Sequence, residues 1–268
     1  MLDLEAYFAR IGFRGEAAAD LPTLAALHRL HPARIAFENL DPLLGRTVDL
    51  DAAALQRKLV IAGRGGYCYE HNLLFHRVLA ALGFRVSGLS ARVLWNQPED
   101  AVTSRTHMLL RVELAEGSFI ADVGFGGLTL TAPLRLAPEL EQTASSETFR
   151  IVPAGADLRL QVRLDAAWAS LYRFDLTEQF QIDYEVMNHF QSTHPRSLFR
   201  NTLLAARTLP EARYALLGNR LTVHRPEGKQ TRHLTAAELR AALQDEFAIR
   251  LPSGAELDAL LVRLTEAT

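Results

Sequence analysis

Apolar residues recur at helical spacing in the first third of the chain and cluster in short strand-like runs in the middle third. Leu4, Tyr7, Phe8 and Ile11 share one face of a 3.6-residue period, and residues 1 to 83 show no strand-like alternation. Asp20, with Pro22 in the first turn, is placed to open a second helix carrying Leu24, Leu27 and Leu30. Asp49 or Asp51 can cap a further helix that Gly63 ends. After Gly65 and Gly66, another helix carries Leu73, Leu74, Val78, Leu79 and Leu82 and stops at Gly83. From about residue 85 the texture changes to RVSGLSARVLW, HMLLRVEL, SFIADVGF, FRIVPA, LRLQVRL and WASLYRF, which predict strands. The turn cluster AEGS at 115–118 predicts a hairpin between the second and third of these. A helix over TEQFQIDYEVMNHF and a polar connector, QSTHPRS, follow. The last part predicts a hairpin around Glu227 and Gly228, then two helices opened by capping boxes, TAAE at 235–238 and SGAE at 253–256. The expected class is α+β, divided into helical 1–84, β-rich 85–190 and mixed 191–268.

Composition narrows the classes of protein. Of 268 residues, 49% are hydrophobic and 22% charged, which is ordinary usage for a folded soluble chain and unlike disordered, collagen-like or disulfide-rich sequences. A net charge of -2 with a pI near 6.5 gives no global attraction to nucleic acid or to an anionic membrane, so any anionic ligand must be held locally. The start, MLDLEAYFARIGF, is acidic and helical where a signal peptide is basic and then continuously apolar. No window approaches the roughly 18 to 20 apolar residues of a membrane span. The expected compartment is the cytosol, where a lone thiol stays reduced.

The only cysteine, Cys68, lies in RGGYCYEHN at the predicted start of a helix. A buried free cysteine is one reading and a nucleophile the other. The helix N-terminus favours a thiolate, and the two glycines allow close backbone approach, with amides placed to form an oxyanion hole. A nucleophile needs a base steadied by a third group. His107 begins the strand HMLLRV, and Asp122 is an acid inside the apolar run ADVGFGG, where a carboxylate needs a partner. A turn centred between Glu116 and Gly117 puts the two on one face but sets His107 opposite Gly126, about 13 Å along the strand from Asp122. Direct contact therefore requires a bulge or an irregular turn between them. The alternative is that Asp122 bonds backbone amides and His107 merely lies on the sheet.

RGGYCYEHN, then THMLLRV with its histidine 39 residues after the cysteine, then ADVGFGG with its aspartate 15 residues further, resembles the arylamine N-acetyltransferases. FENLD at 37–41 and STHPRSLF at 192–199 extend the resemblance over most of the chain, which looks bacterial in type because it lacks the extra middle segment of animal members. The resemblance implies an N-terminal helical bundle, a central β-barrel and a C-terminal α/β lid around a cysteine-protease-like core of Cys68, His107 and Asp122. It also implies ping-pong transfer of acetyl from acetyl-CoA, through an acetyl-cysteine, to an arylamine, arylhydrazine or N-hydroxyarylamine, with no metal. Thr103, Ser104, Gly124 and Gly126, along with Gly127, match positions that contact CoA in the family, and Ser104 stands where many members carry Gly. Phe37 and Phe125 are expected to pack the aromatic acceptor. His224, Arg225, Lys229 and Arg232 can supply positive charge from the last hairpin. Arg64 and Glu38 are expected to pair structurally beside the cysteine loop, with Glu70, His71 and Asn72 bracing the helix start.

Two rival readings carry different chemistry. Cys68 and His71, three apart on one helical face, suggest a metal-binding or thiol redox module, but a structural zinc site wants four such donors and no second pair stands nearby. A Cys-His-Asp amide synthase or thioester hydrolase on the same scaffold would use the same three residues with a different acceptor.

Overall fold

The computed structural model describes residues 2–144 and 147–266. The chain begins with α1 (Leu4–Ile11), α2 (Leu21–Arg34), a two-residue strand β1 (Phe37–Glu38), α3 (Leu40–Leu43), and α4 (Ala52–Leu55), which runs on as a π-helix over Gln56–Ile61. Then comes α5 (Cys68–Ala81). Asp20 does cap α2, its carboxylate accepting the Thr23 N–H at 2.9 Å. The strands β2 (Arg85–Val93), β3 (Arg105–Leu114), β4 (Gly117–Ala121), β5 (Leu134–Arg135), β6 (Gln142–Ala144), β7 (Glu147–Ala154), β8 (Asp157–Leu164) and β9 (Ala167–Phe174) follow. After them come α6 (Gln181–Thr193), α7 (Leu198–Asn201), β10 (Leu204–Thr208), β11 (Arg213–Leu217), β12 (Arg220–Arg225), β13 (Gly228–His233), α8 (Ala236–Asp245) and α9 (Ala255–Glu266).

Strands β2 to β9 form one eight-stranded antiparallel sheet in the order β5-β4-β3-β2-β9-β8-β7-β6, curled into a nearly closed barrel. Its end strands are joined by a side chain. The Gln142 amide oxygen accepts the Arg135 N–H at 2.7 Å while its NH2 donates to the Arg135 carbonyl at 2.9 Å, as a peptide unit on a neighbouring strand would. Leu89, Ile120, Phe149, Ile151 and Leu171 fill the interior. HMLLRV is apolar without alternation because β3 is covered on both sides. Leu109 faces the barrel interior, whereas Met108 and Leu110 pack with Leu74, Phe75 and Val78 of α5.

A second sheet, ordered β1-β10-β11-β12-β13, is covered by α8 and α9. Its first strand comes from the stretch that reads as purely helical in the sequence. Two residues are too few to show a period, yet Phe37 and Glu38 pair with Ala206 and Ala205 and tie the N-terminal helices to the C-terminal sheet. The last hairpin turns at Pro226 and Glu227, since Arg225 pairs with Gly228. Thr235 and Glu238 form the expected capping box of α8, and α9 begins at Ala255, within the SGAE stretch.

The β3–β4 hairpin corrects the sequence-based register. Leu114 pairs with Gly117, so the turn is Ala115–Glu116 and every pair shifts by two residues from the expected one. Gly117 lies at φ 126°, open to glycine, so the chain closes the tight turn before it and not around it. The bulge expected between His107 and Asp122 is absent from this hairpin. Pairing simply stops at Leu110 and Ala121, and Asp122 leaves the sheet. The irregularity lies on the other flank of β3, where Ala91 faces His107 and Arg92 faces Arg105, leaving Thr106 as an extra residue.

Candidate active site

Cys68 is the first residue of α5, placed there by a loop packed too tightly for side chains. A Cβ on Gly65 would sit 2.0 Å from the Ala36 carbonyl oxygen, and one on Gly66 would sit 2.6 Å from a Glu70 carboxylate oxygen. Both contacts fall below any van der Waals distance, so the two glycines before the cysteine are required by close approach. Charged residues hold the loop from below. Arg64 pairs with Glu38 at 2.7 Å and Asp41 at 3.2 Å, and Lys58 from the π-helical turn pairs with Asp41 at 2.6 Å and Glu70 at 2.7 Å. The other Glu70 oxygen accepts the Tyr67 N–H at 3.0 Å, which bonds the network to the residue before the cysteine. Burial pushes the Glu70 carboxyl up to about 7, against the pull of Lys58. Arg64, Glu38 and Glu70 thus brace the loop as expected.

The structure brings Cys68, His107 and Asp122 together. His107 Nε2 lies 2.7 Å from Asp122 Oδ2, and Cys68 stands close enough to the same imidazole to help raise its pKa. The sulfur also lies 3.6 Å from the carbonyl oxygen of Thr106, the extra residue of β3. Cys68 and His107 are each 3% exposed and Asp122 is fully buried. Burial disfavours the imidazolium, but the charge and hydrogen bond of Asp122, with Cys68, outweigh it and raise the His107 pKa to about 10. Burial likewise opposes the Asp122 carboxylate, and the charge of His107 with hydrogen bonds from Gly124 and Asn72 holds its pKa below the usual range. Phe125 and Tyr172 wall the ring, with centroids 5.2 and 5.0 Å from that of His107.

Two helix side chains hold Asp122 where the sheet ends. In the observed register, the next ladder bond after Leu110 and Ala121 would run from the Val123 N–H to the Met108 carbonyl. Asn72 of α5 is inserted between them, donating to the Met108 oxygen at 2.8 Å and accepting the Val123 N–H at 3.1 Å. Its NH2 also reaches Asp122 Oδ1 at 3.1 Å. The Asp122 N–H donates to His28 Nε2 at 3.0 Å. Sequence reasoning placed Asn72 only at the helix start and did not single out His28. Its one available signal was a polar residue on an otherwise apolar helix face.

The sulfur lies at the edge of a cleft of about 1220 Å³ bordered by Phe37, Cys68, His107 and the Gly124–Leu128 loop. Gly124 allows that loop to lie on α5, since a Cβ there would sit 3.0 Å from the Cys68 Cα. Phe37, Phe125, Gly124, Gly126 and Gly127 all border the cleft. Thr103 and Ser104 do not. The Thr103 hydroxyl donates to the Val93 carbonyl at 2.9 Å and Ser104 is exposed beside it, while Thr106 occupies the cleft wall. His224, Arg225 and Lys229 border the far wall with Arg213 and Arg220, whereas Arg232 turns away to pair with Glu246. Among the described residues, no group of three or more His, Cys, Asp or Glu side chains is placed to hold a metal ion, and no helix is long and apolar enough to cross a membrane.

An α+β chain with a nearly closed barrel and a Cys-His-Asp array at a cleft defines a class, and comparison with known proteins places the chain within it. Residues 20–256 match the sequence profile of a family described as N-acetyltransferase. The arylamine N-acetyltransferase of Escherichia coli is 48% identical over 92% of this chain and 88% of its own length. An arylamine N-acetyltransferase / N-hydroxyarylamine O-acetyltransferase of Salmonella typhimurium is 45% identical over 81% of this chain and 76% of its own. The solved structure of Mycobacterium marinum arylamine N-acetyltransferase in complex with CoA superposes with a TM-score of 0.94 at 41% identity, covering 98% of this chain and 99% of that one. The chain belongs to the arylamine N-acetyltransferase family, and the reaction it catalyses is acetyl transfer.

Proposed function

We propose that the protein transfers acetyl from acetyl-CoA to arylamines, arylhydrazines or N-hydroxyarylamines through an acetyl-Cys68 intermediate. The observation that carries this reading is Cys68 beside an imidazole whose Nε2 lies 2.7 Å from a buried carboxylate, at the edge of a large cleft. Cys68 acts as a thiolate paired with the His107 imidazolium and attacks the thioester carbonyl. The carbon–sulfur bond to CoA then breaks, and the departing CoA thiolate takes the proton from His107. Neutral His107 next removes the proton of the attacking amine or hydroxylamine as the acetyl–Cys68 bond breaks, which restores the thiolate and the imidazolium. Asp122 fixes the ring with Nδ1 toward the sulfur and stabilises its charge. CoA chemistry is consistent with the complex of the M. marinum relative, and the aromatic acceptor with Phe37 and Phe125 at the cleft.

The test separates transfer from hydrolysis. Acetyl-CoA alone is expected to add a single acetyl group to Cys68, seen as a mass increase on its peptide and one equivalent of released CoA. Addition of an arylamine then restores the free thiol and starts turnover. Continuous CoA release without amine would favour a hydrolase, and unchanged turnover by Cys68→Ala would rule out the nucleophile.

A further inference from the structure

We infer that His28 is a positioning residue for this site, holding Asp122 by its main-chain amide so that the carboxylate meets His107. The inference rests on the Cys68–His107–Asp122 reading above and assigns a part to a residue outside it. Asp122 follows the last paired residue of β4, so its N–H has left the ladder in a fully buried position. The acceptor is Nε2 of His28, reaching in from α2 at 3.0 Å. An imidazole nitrogen accepts only when it carries no hydrogen, so the proton of neutral His28 must be on Nδ1. That Nδ1 is itself buried without a hydrogen-bond partner, and the ring stands edge-on to Phe75 with centroids 5.8 Å apart. A buried unpaired donor is a cost, so the residue gives back stability wherever an apolar side chain would do. What an apolar side chain lacks is the acceptor. Burial pushes the His28 pKa down to about 4, against the charge of Asp122, which keeps that acceptor free at neutral pH.

Replacement by leucine exchanges one buried unpaired N–H, on His28, for another, on Asp122. The global melting temperature is therefore expected to stay near that of the native chain while the site is disturbed. His28→Gln restores an acceptor at the position of Nε2. Because Cys68 is the only cysteine, its alkylation by iodoacetamide as a function of pH reads the thiolate–imidazolium pair directly. In His28→Leu the alkylation rate at pH 6 is expected to fall about tenfold, since a displaced Asp122 no longer raises His107, while His28→Gln stays near the native profile. A folded His28→Leu with the native profile, or equal losses in both variants, overturns the inference. A second measurement needs no variant: imidazole 15N shifts should show His28 as the Nδ1–H tautomer, and an Nε2–H tautomer overturns it. His107→Gln distinguishes the two levels. If it too alkylates like the native chain, the triad reading fails, and the tautomer of His28 still reports on the clamp separately.

Discussion

Cys68, His107 and Asp122 stand out in the sequence because their types are rare in their settings: a unique cysteine after two glycines, and an acid in an apolar run. His28 and Asn72, which hold Asp122 in place, do not stand out. A polar residue on a buried helix face reads as a core side chain until the strand end it meets is known, and that meeting spans 94 residues for His28. The central pair has a pH signature of its own. The imidazolium of His107 is favoured in the fold, its pKa raised to about 10 from an ordinary value of about 6.5. Its contribution to stability is therefore complete below about pH 6.5 and lost as pH rises toward 10. Asp122, with its pKa depressed, contributes above the usual carboxylate range and loses that contribution on acidification through its lowered value. Asp122→Asn should lower kcat/KM about 100-fold or more. The stability gap between native and Asp122→Asn proteins in urea should be widest near pH 5 to 6 and narrow toward pH 10; a gap independent of pH would contradict the ion pair.

At the scale of elements, strand existence follows from apolar runs, but where pairing begins and ends does not. The hairpin turn fell one residue earlier than its composition suggests, and a one-residue error in a turn moves each cross-strand partner by two. Two gaps in strand pairing are then bridged by carboxamide side chains. Asn72 is buried between Met108 and Val123, whereas Gln142 closes the barrel on an exposed edge. The same chemistry in two environments should give two magnitudes. Asn72→Ala leaves a buried N–H and a buried carbonyl without partners and is expected to cost about 2 to 5 kcal/mol in urea denaturation, with activity falling alongside. In Gln142→Ala, water replaces the lost bonds, so the cost is expected to stay below about 1 kcal/mol. Its visible effect is faster hydrogen exchange at the Arg135 amide. Equal costs for the two would mean that burial does not set the energy of these bridges.

For the molecule as a whole, the cleft exists only because three textures of sequence converge on it. Phe37 comes from β1, Cys68 from α5, His107 from the barrel, and the basic wall from the second sheet. The two-residue pairing of β1 with β10 that fastens these parts has no periodicity to read, so the sequence shows the parts without their joint. The basic wall makes the remaining prediction. Arg213 is already engaged, pairing with Glu147 at 3.0 Å and donating to the Gly127 carbonyl at 2.8 Å. Arg220, Arg225 and Lys229 border the same cleft with no ion-pair partner among the described residues. Three uncommitted cations at one mouth suit the phosphates of a CoA donor, each partly exposed contact contributing about 0.5 to 1 kcal/mol. Replacing all three by alanine should raise KM for acetyl-CoA about 10- to 100-fold at low salt, with kcat nearly unchanged because Cys68 and His107 are untouched. The penalty should shrink as ionic strength rises, since exposed charges are screened beyond about 10 Å at 0.1 M. An acetyl thioester without phosphates, such as acetyl-pantetheine, serves as the control: its KM should not respond to the substitutions. If it rises as steeply as that of acetyl-CoA, the cations shape the cleft and do not read the nucleotide end of the donor.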